Sequence, residues 1–147
     1  MAGNRIDRLP TWLLSRANAR AQALRVEAFA AAGSTGYMAR LLASLADEGA
    51  ASQSELSRRT GIDPSDVVAA VNDLEARGHV TRQRDPHDAR RNIVTPTPGG
   101  RAELARLDAV IAEIQTRFLA PLSDTERRQL QRILAKLAVE SDPSART

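Results

Sequence analysis

Two helix-start signals stand eleven residues apart, at Ser52 and Asp63, with Gly61 between them. Ser52 has Glu55 three residues later, the spacing of a capping box in which each side chain satisfies a backbone N–H of the first turn. Asp63 is a natural N-cap, and Pro64 suits the first helical position because the N–H it lacks would have no partner there. Gly61 can take the positive φ that ends one helix before the next begins. The spacing predicts two short helices joined by a tight turn. On the second, Val67, Val71 and Leu74 recur at i, i+4, i+7 and share one face, with Leu56 and Ile62 as expected packing partners. Arg77-Gly78 closes that helix with a basic last turn and a glycine. Residues 79–84 and 90–95 then flank Asp85-Pro86-His87-Asp88, a turn sequence, and predict a basic two-stranded hairpin. A helix–turn–helix followed by such a hairpin is a winged helix. Its physical use is to set one helix in the DNA major groove and reach along the backbone or minor groove with the wing.

The rest of the chain is expected to be helical. Its 147 residues are 42% hydrophobic but 3% aromatic, so the core must be aliphatic and alanine-rich, which favours helices over strands. Residues 11–32 carry Leu14, Ala17, Ala21, Leu24, Ala28 and Ala31 at alternating spacings of three and four, and Gly33-Ser34-Thr35-Gly36 breaks the run. Residues 37–46 form a second helix, ended by Asp47-Glu48-Gly49. After the hairpin, Pro96-Thr97-Pro98-Gly99-Gly100 reads as a stop. A long helix over residues 101–118 follows, with Leu104, Leu107, Ile111, Ile114 and Phe118 in one row. Ser123 and Glu126 make another capping box and open a last helix through Leu130, Ile133, Leu134 and Leu137; the polar residues from Ser141 onward should fray. The expected fold is mainly α with a small β-hairpin wing: N-terminal helices over 1–49, the winged lobe over 50–96, C-terminal helices over 97–141 and a tail at 142–147. The seams at both ends of the chain predict a homodimer held through Leu14, Ala17, Ala21, Leu24, Leu107, Ile111, Ile114, Phe118, Leu130 and Leu134. Such a dimer would place two recognition helices roughly 34 Å apart, one turn of duplex.

Charge must act by placement. The net charge is only +3, and residues 52–95 hold seven arginines against seven acids. The absence of cysteine removes disulfides, thiolate metal sites and cysteine nucleophiles. Only two histidines occur, both near the wing, and no Gly-rich phosphate loop, HExxH or Ser/His/Asp order appears, so neither an enzyme nor a bound cofactor or metal is expected. The first ten residues have no apolar run and no stretch approaches membrane-spanning length, which points to the cytoplasm and away from a membrane.

The motifs resemble one family. Asp85-Pro86-His87-Asp88-Ala89-Arg90, followed by Thr97 and Gly100, is similar to the D-P-x-D-x-R … T-x-x-G wing signature of MarR-type transcriptional regulators. Ser54-Glu55-Leu56, Gly61-Ile62 and Leu74-Glu75-Ala76-Arg77-Gly78-His79-Val80 resemble that family's run through the helix–turn–helix. The resemblance covers nearly the whole chain. It implies a dimeric regulator of double-stranded DNA, usually a repressor on a near-palindromic operator, with Arg90 as the wing arginine reaching toward the minor groove and Asp88 orienting it. It also implies a small aromatic or phenolic effector.

Other candidate DNA contacts come from the residues themselves. On the recognition helix the outward positions include Ser65, Val68, Ala69, Asn72 and Ala76. Ser65 and Asn72 can bond base edges, and Val68 or Ala69 can touch a thymine methyl. Asp66 is better suited to a first-turn cap than to a base. Relatives often carry arginine near Ala69, so guanine readout should be weak here. Arg82, Arg84 and Arg91 can meet phosphates, His87 sits at the wing tip, and Ser52, Gln53 and Arg58 lie where the first helix would cross the backbone. Trp12 with Arg16, and Tyr37, are candidates for holding an aromatic anion. The alternative function is a winged-helix dimer that binds protein instead of DNA.

Overall fold

The structure, a computed structural model, describes residues 3–138, so the expected tail lies outside the described residues. A 3-10 turn at Arg5–Arg8 leads into α1 (Pro10–Ala31) and α2 (Gly36–Glu48). Then follow β1 (Ala51–Ser52), α3 (Gln53–Thr60), α4 (Pro64–Ala76), β2 (Val80–Arg84), β3 (Asn92–Pro96), α5 (Pro98–Leu119) and α6 (Asp124–Leu137). The fold is mainly α with a winged helix–turn–helix at its centre. None of the helices in the described residues is long and apolar enough to cross a membrane.

Local signals start and stop these helices where expected. Asp63 accepts from the Ser65 N–H at 3.0 Å, Gly61 has φ +70°, and Gly78 has φ +75°. Ser123 and Glu126 form the full capping box. The box expected at Ser52 is only half made. Ser52 Oγ accepts from Glu55 N–H at 3.2 Å, but the Glu55 carboxylate turns to Arg58 and Arg59 at 3.4 and 3.3 Å.

Two expectations need correction. The wing sheet has three strands in the order β1-β3-β2, because Ala51 and Ser52 pair antiparallel with Val94 and Ile93 before the chain enters α3. A two-residue strand is too short to show a period in sequence. The segment expected to stop before α5 is instead its cap and first turn. Thr97 Oγ1 accepts from Gly100 N–H at 3.0 Å, and Pro98 occupies a first-turn position where no N–H is missed.

The core forms where α2, α3, α4, α5 and the sheet converge. Leu41, Leu42, Leu45, Leu56, Val67, Val71, Leu74, Val80, Val94 and Leu107 are all under 2% exposed. The face expected on α4 is the face that is buried, with Ala70 added to it. α1 lies on α5 and the start of α2, with Leu24, Ala28 and Phe29 on its core side.

Candidate nucleic-acid interface

Burying Val67, Ala70, Val71 and Leu74 turns Ser65, Asp66, Val68, Ala69, Asn72 and Ala76 to solvent. Val68 is 43% exposed. This face offers hydroxyl, amide and methyl groups, the kinds that read base edges and thymine methyls. Ser65 also donates its Oγ–H to Asp63 at 2.7 Å, and that bond together with the Ser65 N–H holds the Asp63 carboxyl below its ordinary value. Asp63 is thus the N-cap of α4, as expected, and Asp66 stands exposed in the first turn.

The wing is built by its aspartates. Asp85 accepts from His87 N–H at 2.8 Å and Asp88 from Arg90 N–H at 3.0 Å, so each carboxylate folds the turn that follows it. Asp88 Oδ1 also lies 3.5 Å from Arg90 Nε, while the Arg90 side chain is 92% exposed. Arg84 and His87 stand in solvent beside it.

Three expected phosphate contacts are committed elsewhere. Arg82 is half-buried and binds Glu75 through Nε at 3.2 Å and Nη2 at 2.9 Å, tying the wing to α4. The paired guanidinium holds the Glu75 carboxyl below its usual value, and Glu75 in turn raises Arg82. Arg91 Nη2 donates to Ser52 Oγ at 3.0 Å, tying the other edge of the wing to the start of α3. Ser52 itself is 2% exposed, because β1 places it in the sheet and its hydroxyl caps α3. Gln53 is half-buried, whereas Arg58 is exposed with only the long Glu55 contact.

Comparison with known proteins places this arrangement. The family model described as MarR family matches residues 39–91, from the middle of α2 to the wing turn. A "probable transcriptional regulator" from Pseudomonas aeruginosa is 37% identical, with a TM-score of 0.80 over 90% of this chain and 99% of that one. The chain belongs to the MarR family. Its structure is also similar to Bordetella bronchiseptica BpsR, described with regulation of its DNA binding by 6-hydroxynicotinic acid (26% identity, TM-score 0.82, 95% of this chain, 100% of that one). The transcriptional repressor NicR of Pseudomonas putida is 33% identical over 71% of this chain and 65% of its own length. The chain spans between 45% and 65% of the length of the first four curated relatives it matches.

In this MarR-family chain the expected dimer seam divides in two. Leu107 and Ile114 are 0% and 3% exposed within the chain's own core, and Leu24 and Ile111 are half-buried against it. A heptad-like row predicts a covered face and cannot say what covers it. Leu14 and Ala17 are exposed, Ala21 is half-buried, and Phe118 lies half-buried under the Arg20 guanidinium at 5.2 Å from its ring centre. Leu130 and Leu134 are half-buried on α6. Outside the expected dimer set, Ile6, Leu9 and Leu13 are exposed, and Ile133 and Leu137, which belong to the expected row on the last helix, are 45% and 70% exposed.

The three ligand candidates lie on two helices. Trp12 and Arg16 stand one turn apart near the start of α1, and Tyr37 is the second residue of α2. Arg16 lines an open groove of about 600 Å³ walled by Leu13, Ala17, Phe118, Pro121 and Leu130.

Proposed function

We propose that the chain is a sequence-specific DNA-binding regulator that acts as a homodimer, represses from a near-palindromic operator and is released by a small aromatic or phenolic ligand. One observation carries the DNA reading: the winged helix presents an exposed polar and methyl face on α4 and the exposed side chains of Arg84 and Arg90 on the wing, while Arg82 and Arg91 are spent holding the wing in place. An interface built this way presents few charges in fixed positions, which suits register and readout better than bulk attraction.

Dimerisation is supported by the uncovered apolar side chains at the two ends of the chain, Ile6, Leu9, Trp12, Leu13 and Leu14 on one side and Ile133 and Leu137 on the other. The ligand and the repressor role are supported by the names of BpsR and NicR. Among the three candidates Arg16 is the best placed, with a cationic head over an apolar wall.

The test is a fluorescence-anisotropy titration of the purified chain against the duplex upstream of its own gene and against random duplex. Tighter binding to the upstream duplex, at two chains per site and relieved by an aromatic acid, is expected. Binding no better than to random DNA, at that duplex and at any duplex selected from a random library, sinks the reading.

A further inference from the structure

Two arginines from distant parts of the chain meet at the C-terminal end of α1, where the interface described above does not reach. Arg77, the C-cap of the recognition helix α4, donates Nη1 to Gly33 O at 2.6 Å, and Arg106 of α5 donates Nη2 to Ala32 O at 2.8 Å. These are the first carbonyls past α1, at the negative end of its dipole, where guanidinium donors are most favourable. Glu103, whose side chain is 13% exposed, holds Arg106 through both carboxylate oxygens. Its carboxyl is held below its ordinary value chiefly by those bonds.

α4 packs chiefly on α2 and α3, and α1 on α5 and α2. Arg77 is the direct hydrogen bond from the end of α4 to the end of α1.

We propose that Arg77 and Arg106 are positioning residues that set the angle of the recognition helix against α1, and through it the half-site spacing the dimer accepts. The proposal rests on the dimeric DNA-binding reading above. The lever is short. The thirteen residues of α4 span about 19 Å at the helical rise, with Arg77 at one end and Ser65 at the other. A rotation of about 10° about the Arg77 end moves the Ser65 end by roughly 3 Å, close to one base-pair step.

The experiment begins with duplexes selected from a random library by the wild-type chain. Variants of the selected site with one base pair added or removed between half-sites are then titrated with wild type, Arg77→Ala and the double variant Arg77→Ala/Arg106→Ala. Wild type should lose at least tenfold in affinity for each altered spacing, and the double variant less than threefold. A folded double variant that keeps the wild-type discrimination overturns the proposal, because a merely structural role lowers melting temperature without relaxing spacing. If the double variant is unfolded at the assay temperature, Arg77→Ala decides by the same criterion. A wild-type chain that selects no two-fold duplex overturns both readings, whereas unchanged discrimination overturns this one alone.

Discussion

Gly100→Ala isolates one close approach on which the wing and α5 both depend. A Cβ at Gly100 would lie 2.0 Å from His79 O and 3.0 Å from His79 C, against backbone that cannot rotate away. The same His79 carbonyl accepts from Thr97 N–H at 3.1 Å, and Thr97 Oγ1 donates to Gly78 O at 2.6 Å. The Thr97-x-x-Gly100 spacing thus folds the start of α5 onto the end of α4. Relieving the clash needs more than about 1 Å of backbone movement, an overpacking cost of roughly 1–3 kcal/mol. Straining the Thr97–His79 bond adds about 1 kcal/mol, and the stiffer unfolded chain returns about 0.4–1 kcal/mol. The expected net loss is about 2–3 kcal/mol, or roughly 5–10 °C in Tm for a domain of this size.

Gly99→Ala is the matched control. Its Cβ would sit 3.4 Å from Gly78 O, an ordinary contact, so the entropic gain should leave it neutral or more stable by up to about 1 kcal/mol. Urea and thermal unfolding followed by far-UV circular dichroism measure both. A Gly100→Ala protein within about 0.5 kcal/mol of wild type, or a Gly99→Ala protein equally damaged, refutes the reasoning.

Three further outcomes are expected. Arg90→Ala should weaken operator binding at least tenfold, about 1.4 kcal/mol, with unchanged Tm because the side chain is 92% exposed; unchanged affinity in a gel shift counts against the wing contact. Glu103 has a folded pKa below its unfolded value, so its stabilisation is complete above about pH 4.5 and fades as pH falls beneath that. Tm of wild type should therefore exceed that of Glu103→Gln at neutral pH and converge on it in acid; parallel curves would show that the carboxylate contributes nothing. Ile133→Asp should give a monomer by light scattering and remove the concentration dependence of Tm, whereas an intact dimer would exclude that α6 face from the interface.

What could be read from the sequence follows the range of the interaction. Ser52, Gly61, Asp63 and Gly78 act on their own neighbours, so residue type and spacing were enough to place α3, α4 and the wing. The row on α5 has the same period as the row on α6, yet Leu107 lies in the core and Ile133 in solvent, because burial depends on what arrives from elsewhere. Pro98-Gly99-Gly100 looked like a breaker for a similar reason. Its glycine serves the His79 backbone, which approaches from just past the end of α4. The arginine caps gave no local signal at all. Arg59 reaches Gly49 O, Arg77 reaches Gly33 O, Arg106 reaches Ala32 O, and Arg20 reaches Arg117 O and Phe118 O, across as many as 98 residues.

Those caps change what the charge count means. Of the seven arginines between residues 52 and 95, Arg59, Arg77, Arg82 and Arg91 bind carbonyl, carboxylate or hydroxyl oxygens at 3.3 Å or less. Arg84 is free, and Arg58 and Arg90 hold only contacts of 3.4 and 3.5 Å. Three available arginines per protomer make six per dimer, for a slope of log affinity against log salt of about −5. If all seven met phosphate, fourteen contacts would give about −13. Anisotropy across a salt series separates the two cases. A slope near −5 means that the folded pairs persist on DNA and that the wing docks as a rigid body. A slope beyond about −10 means that the Glu75–Arg82 and Ser52–Arg91 ties open on binding, and the frame assigned here to the wing is then wrong.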